Sequence, residues 1–425
     1  MGTMFHRLAF VSVRPAAGIG RAALILGALL LAPSARGADG APTAPAGAPA
    51  PEAGGVAANV APFAFPADDR ELLALDDEMR GFFAARVDAD ATENTRLNQV
   101  ITALLGDQGL HLLYVTDANY PARETFRRRQ GNCLSFSFLA VAVARAYGLK
   151  AKFCEVNTYP RWDRYGKLIT EIRHLNVAIW ADGIRYELDL LPVAERQAPV
   201  ESAKIVSDPR AFAHFYNNLG VFRLALVGVT EAQRLFDRAL AADATAAFVW
   251  ANKGAALRLA GEFQSAQDCL DQAMREDPRD PATLTNLASL YTQTGRFKEA
   301  AALNKKVERY REQNPYYLSL LARAEIDRGH LREADKLLRR AIGIKNDEPE
   351  FFELRIQVAQ SLGWTKDARR WADKLRELQN RSAPAARTPS IPSAQGAAGP
   401  SPQAPPESGL RLNWMHAGGG DGQRR

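Results

Sequence analysis

The sequence predicts a mixed α+β unit followed by an all-α solenoid, and three observations carry that expectation. From residue 213 onward the chain repeats itself with a period of 34 residues. Upstream, Cys133 to Tyr147 is an apolar run with helical character that ends at Gly148. After it come Ala151 to Val156, His174 to Trp180 and Arg185 to Leu191, which have the β-branched and alternating character of strands.

The ends of the chain differ from its body. Arg7, Arg14 and Arg21 stand without an acidic residue, then an apolar run extends from Ala22 to Ala32, then come Ala35, Arg36, Gly37 and Ala38. This is the pattern of a secretory signal peptide cleaved near Gly37, so residues 1–37 are expected to be removed and the protein to be periplasmic or secreted. The apolar run is about half the ~20 residues a membrane span needs, and no later stretch is apolar and long enough to span. Residues 38–62 and 383–425 are rich in Ala, Pro and Gly and read as a disordered linker and tail, because they cannot repay the entropy of ordering. The α+β domain is therefore expected over 63–208 and the repeats over 209–382.

The net charge of +6 resides in these ends. Residues 38–382 hold 46 basic and 46 acidic residues, so composition offers no basic stripe for nucleic acid. The run Arg127, Arg128, Arg129 is expected as a solvated helix face. Three cysteines, Cys133, Cys154 and Cys269, leave at least one thiol without an internal partner and argue against a disulfide framework. Cys154 and Cys269 lie in apolar settings and are expected to be buried and inert. Histidines without paired spacing, and the lack of a Cys pair or a glycine-rich phosphate loop, predict neither a metal site nor a cofactor.

Within 63–208, helical spacing runs through Leu72, Leu73, Leu75, Met79, Phe82 and Phe83, and again through Leu97, Val100, Ile101, Leu104 and Leu105. Asn132 is a favoured N-cap residue and puts Cys133 at the first position of the next helix. There, unpaired N–H groups and the helix dipole stabilise a thiolate and can receive an oxyanion. Asn157 to Glu171, with Trp162, Arg164 and Tyr165, reads as a polar loop just before His174, either lining the cleft or an ordinary surface loop. Asp182-Gly183 is a two-residue hairpin signal that pairs Ala181 with Ile184, Trp180 with Arg185 and, further along, Asn176 with Asp189. Alternation then puts Leu175, Val177, Ile179, Tyr186, Leu188 and Leu190 on a core face, with His174, Asn176 and Asp189 on the other. His174 and Asp189 become diagonal neighbours about 7 to 8 Å apart at Cα, so a carboxylate can hold the imidazole in the tautomer that deprotonates a thiol.

In the repeats, the small helix-contact position reads Ala232, Ala266, Ala300, Ala334 and Ala368. The large position reads Tyr216, Trp250, Leu284, Leu318 and Phe352. Gly261, Gly295, Gly329 and Gly363 share one phase, with Gly228 one residue late. The copy containing Trp250, Gly254, Leu257, Ala266, Ala273 and Pro278 resembles the tetratricopeptide pattern nearly throughout. Such arrays bind proteins or peptides, so a protein or peptide partner is expected.

The order of Cys at a helix start, His beginning a strand and Asp on the next strand resembles the transglutaminase-like superfamily. The resemblance rests on GNCLSFSFLAVAVARAYGL from Gly131, on His174 with its strand, and on YELD ending at Asp189, over roughly residues 70–195. It implies a papain/transglutaminase-like α+β fold in which Cys133 is the nucleophile, His174 the general base and acid, and Asp189 the orienting residue, with Asn132 and Asn176 in support. A side-chain oxyanion donor is not assigned; Tyr114, Asn119 and Tyr120 are the candidates. The Cys133 motif lacks the Trp-rich surroundings of animal cross-linking enzymes and looks more like bacterial transglutaminase-like cysteine proteinases. Hydrolysis of an amide in a recruited protein is therefore preferred. An acyl transferase, and a non-catalytic binding or assembly protein with a degenerate thiol domain, stay open.

Overall fold

The computed structural model describes residues 26–30, 68–106, 108–115, 118–165, 168–188 and 203–382, the first of these as backbone alone. Two short helices open the body, α1 (Asp77–Ala84) and α2 (Glu93–Leu105). Each starts on a side-chain cap, with Asp76 accepting from Met79 N and Thr92 from Thr95 N. They bury Met79, Phe83, Leu97, Val100 and Leu104, members of the two apolar stripes read from the sequence. After α3 (Ala122–Arg128) comes α4 (Cys133–Ala146), which is buried along nearly its whole length and forms the axis of the domain. Gly148 closes it at φ +73°, in the left-handed region that glycine adopts freely.

A mixed-length antiparallel sheet covers α4. It comprises β1 (Leu26–Leu30), β4 (Lys150–Tyr165), β5 (Leu168–Ala181), β6 (Ile184–Leu188) and β7 (Ala203–Val206), in the order β1-β5-β4-β7 with β6 also on β5. A separate parallel pair joins β2 (Leu113–Tyr114) to β3 (Gln130–Gly131). The β5–β6 hairpin has the expected register, from Ala181 opposite Ile184 to Val177 opposite Leu188. Asp182 at φ 50° and Gly183 at φ 78° supply the two left-handed residues of a type I′ turn. The expected Asn176–Asp189 pair lies one step further, and Asp189 falls outside the described residues.

Of the segment expected as a polar loop, 157–171, the described residues 157–165 and 168–171 are instead strand. β4 bulges between Val156 and Arg161 opposite the Ile172–His174 stretch of β5, and beyond the bulge both strands continue as a two-stranded arm. Local sequence did not announce it because the arm is held by distant helices. Trp162 and Ile169 share a hydrophobic core with Ala282, Tyr316, Phe351 and Trp371.

Five helix pairs follow: α5 (Asp208–Leu226) with α6 (Val229–Ala242), α7 (Ala247–Ala260) with α8 (Phe263–Glu276), α9 (Pro281–Gln293) with α10 (Phe297–Arg311), α11 (Pro315–Asp327) with α12 (Leu331–Ile344), and α13 (Pro349–Ser361) with α14 (Thr365–Ser382). The in-phase alanines are all buried. At Gly254 an added Cβ would lie 2.8 Å from Leu270 Cγ, so the close approach of α7 and α8 needs the missing side chain. The first pair is not set apart from the α+β unit. Phe212 and Phe215 of α5 pack on Phe138 of α4, which also meets Phe153 of β4, and all four belong to one hydrophobic core.

Candidate active site

Cys133 is the first residue of α4, directly after Asn132, whose Oδ1 accepts the Ser135 backbone N–H at 3.0 Å. The turn before it is tightly built. A Cβ on Gly131 would come within 2.7 Å of Ser135 Cβ, so glycine is required there. The Ser135 hydroxyl donates to Ala118 O (2.8 Å) and accepts from Tyr120 N (2.7 Å), which pins residues 118–120 to the start of the helix. Ser135, not singled out from the sequence, is thus the post that fixes the approach to Cys133. Cys133 and His174 are both buried, at 1% and 5% exposure.

His174 lies on β5 opposite Val156, and Asn176 opposite Cys154. On the other edge of β5, among the described residues, β6 pairs back as far as Val177 and β1 begins at Ile172. His174 therefore sits in the interval between two flanking strands, at the point where β4 bulges and the arm begins. Asn176 is buried and its Oδ1 has no hydrogen-bond partner. Among the described residues the other two thiols are unsuited to nucleophilic work. Burial pushes Cys154 up to about 11, and it also raises Cys269.

The three oxyanion candidates separate by their surroundings. Asn119 spends its amide on Phe215 O at 2.9 Å. Tyr120 is buried beneath the Arg128 guanidinium. Tyr114 lies opposite Gly131 in the β2–β3 register, two residues from Cys133. The Arg127–Arg129 run is engaged locally rather than free in solvent. Arg127 pairs with Asp76 at 2.9 Å, Arg128 with Glu124 at 2.8 Å, and Arg129 lies over Phe126.

Two polar clusters tie this region to the helix pairs, and neither was legible in the sequence. Glu155 of β4 accepts from Arg210 (2.9 Å) and from His214 Nε2 (2.8 Å), and His214 stacks on Phe248. Burial opposes the Glu155 charge, but His214 and Arg210 outweigh it and hold the carboxyl well below the usual range. Burial lowers His214 against the pull of Glu155, whose carboxylate accepts from its Nε2. On the arm, Arg173 Nη2 meets Asp280 Oδ1 at 2.7 Å and Glu171 at 3.8 Å, while the Tyr310 hydroxyl donates to Glu171 at 2.9 Å. Burial raises Glu171, and Asp280 with Glu171 holds the Arg173 charge despite its own burial. Near the arm's tip Arg164 pairs with Glu348 and Glu350 at the start of α13.

Comparison with known families agrees with this geometry. Residues 83–187 match the transglutaminase-like superfamily, and residues 257–324 match a tetratricopeptide repeat. The chain joins a transglutaminase-like domain to tetratricopeptide repeats. The transglutaminase-like match contains Cys133, His174 and the β5–β6 hairpin as far as Glu187, and the repeat match runs from the end of α7 into α11. Similar solved structures include Pseudomonas aeruginosa pilF, at 16% identity over 39% of this chain and 75% of that one, with a TM-score of 0.31. MamA from Desulfovibrio magneticus RS-1 has 17% identity over 40% and 95%, with a TM-score of 0.28. YrrB, described as a TPR protein with an unusual peptide-binding site, has 17% identity over 40% and 87%, with a TM-score of 0.25. No curated protein matches the chain. Among the described residues no helix is long and apolar enough to cross a membrane.

Proposed function

We propose that this is an exported thiol hydrolase that cleaves an amide bond in a protein or peptide held by the repeat array. The observation that carries the reading is Cys133 at the capped N-terminus of a buried helix, inside a transglutaminase-like domain. In the proposed reaction the Cys133 proton passes to His174 and Sγ attacks the amide carbonyl carbon. The C–N bond then breaks, and the amine leaves with the proton from the imidazolium. Water attacks the acyl-thioester, gives a proton to His174, and releases the acid as Sγ regains its proton. Asp189 holds the imidazole and stabilises its charge. The first N–H groups of α4 receive the oxyanion, and Tyr114 is the favoured side-chain donor. Removal of the signal peptide would deliver the enzyme to the periplasm or the exterior.

The burial of Cys133 and His174 favours a second reading, a binding or assembly protein whose thiol domain is inactive. Iodoacetamide at about pH 6.5, well below the ~8.5 of a free thiol, separates the two. A catalytic Cys133 is labelled ahead of Cys154 and Cys269, and Asp189→Asn slows that labelling while leaving the melting curve unchanged. Equal or slower labelling of Cys133 in the folded protein overturns the hydrolase reading. Mass analysis with an added amine then distinguishes hydrolysis, which gives a free acid, from acyl transfer, which gives a new amide.

A further inference from the structure

The arm crosses the inner helices of the array, and one of its edges carries an added strand. The backbone of Leu26–Leu30 pairs antiparallel with β5, Leu26 opposite Ile172 and Leu30 opposite Ile169, and lies against α5, α7 and α9. On that edge, among the described residues, β6 accompanies β5 from Ala181 back to Val177. Ile169, Thr170 and Glu171 are all buried. That burial holds with Leu26–Leu30 in place, so cleavage near Gly37 would uncover this stretch of β5 as an open strand edge, whose unpaired main-chain groups are a template for another strand.

A second observation lies on the helices opposite. Asn286 of α9 is fully buried, and neither its Oδ1 nor its Nδ2 has a hydrogen-bond partner. It stands one helical turn beyond Ala282, which shares a core with Trp162 and Ile169 of the arm, so the amide faces the arm. Two repeats earlier in the same phase, Asn218 of α5 is buried with an unpartnered Nδ2. With Leu26–Leu30 seated in the lane these amide groups have no partner, so the peptide units of that occupant do not use them.

We infer that the mature protein binds its substrate as an extended, apolar polypeptide, added as an antiparallel strand between the 169–172 edge of β5 and helices α5, α7 and α9, and that Leu26–Leu30 fills this lane in the precursor. The occupant seen there, LGALL, is uncharged and apolar. The nearby charges Arg173, Asp280 and Glu171 are spent on one another. Polarity adds a constraint. The N-terminal side of an antiparallel occupant runs from Ile172 toward His174, two residues on, so the paired segment is the part that leaves as the amine. Naming the occupant as substrate rests on the proposed hydrolase, but the binding itself does not.

The test uses residues 38–425 carrying Cys133→Ser, so that a bound peptide is not consumed. Among the described residues the buried cores begin at Leu72, so this form keeps every described core residue. The probe is a fluorescein-labelled peptide of residues 24–32 with flanking lysines for solubility, followed by anisotropy. The expected result is saturable binding, at least tenfold weaker to the full-length chain, whose lane is filled. N-methylating alternate peptide amides weakens binding at least tenfold for at least one of the two alternating sets. Should the shortened form fold poorly, full-length Leu29→Pro, which removes a strand N–H, takes its place and binds the peptide as the shortened form should. Absence of saturable binding, equal binding by the full-length chain, or indifference to both methylated sets overturns the inference. Binding as described without acyl-adduct formation by the Cys133 protein leaves the lane standing and removes the hydrolase.

Discussion

Replacing Asp280 with Asn removes one charge where the arm meets the array, and its surroundings set the size of the loss. The pair with Arg173 spans 2.7 Å, with Asp280 5% exposed and Arg173 33% exposed at the side chain. Breaking a fully buried pair costs about 3–5 kcal/mol, whereas an exposed pair contributes about 0.2–1 kcal/mol. Water reaches a third of Arg173, and the Glu171 carboxylate 3.8 Å away can take over part of the counter-charge. The expected cost is therefore about 2 kcal/mol. Asn keeps the helix cap, because its Oδ1 can still accept from Thr283 N as Asp280 does at 2.8 Å. Asp280→Ala loses that cap too and should cost about 1 kcal/mol more. Urea unfolding of Asp280→Asn, Arg173→Met and the double variant closes a cycle with an expected coupling of about 1–2 kcal/mol. Because Arg173 immediately precedes His174, iodoacetamide labelling of Cys133 is followed in the same variants. A coupling under about 0.5 kcal/mol would show that the pair does not anchor the arm and refute the reasoning.

Three further outcomes follow from other positions. Burial raises the folded-state pKa of Glu171, so its stabilising protonation is complete below about pH 4.3 and is lost as pH rises through the raised value. Glu171→Gln should therefore leave Tm nearly unchanged at pH 4 and raise it increasingly toward pH 8, and an equal shift at both ends would refute this. Arg258 is 3% exposed with no partner for Nε or Nη2, and burial lowers it to about 10. Arg258→Met should raise stability by about 1 kcal/mol in the same urea assay, and a loss would reveal a counter-ion. Gly254→Ala, which meets Leu270, should destabilise by about 1–3 kcal/mol, whereas Gly343→Ala, with open space around it on α12, should stabilise by about 0.5–1 kcal/mol; differential scanning calorimetry reports both signs.

What could be read from the sequence was whatever rested on neighbours along the chain. Asn132 before Cys133 is a cap, Asp182-Gly183 is a turn, and Ala232 to Ala368 is a spacing; each is decided within a few residues or by strict repetition. The arm was missed because both its faces are covered, so 168–172 lacks the alternation that marks a half-exposed strand. Arg173 and Asp280 stand 107 residues apart, and Glu155 and His214 stand 59 apart. No local pattern predicts such pairs, since each residue alone looks like an ordinary surface charge. Asn286 carries an even fainter signal, an Asn in phase with Asn218 and Asn252 on a helix that also carries Thr283, Thr285 and Ser289.

The arm has a fixed length, and that length measures the array. Glu155, at its base, is fastened to the first helix pair, Arg173 to the third and Arg164, near the tip, to the fifth. Inserting one 34-residue unit between α8 and α9 would carry Asp280 and Glu348 out of register with partners on strands that cannot stretch. A unit appended after α14 would disturb none of these fastenings. The hairpin is in that sense a gauge that fixes how many repeats may lie between its ends, and lineages of this architecture can lengthen only at the far terminus unless hairpin and array change together.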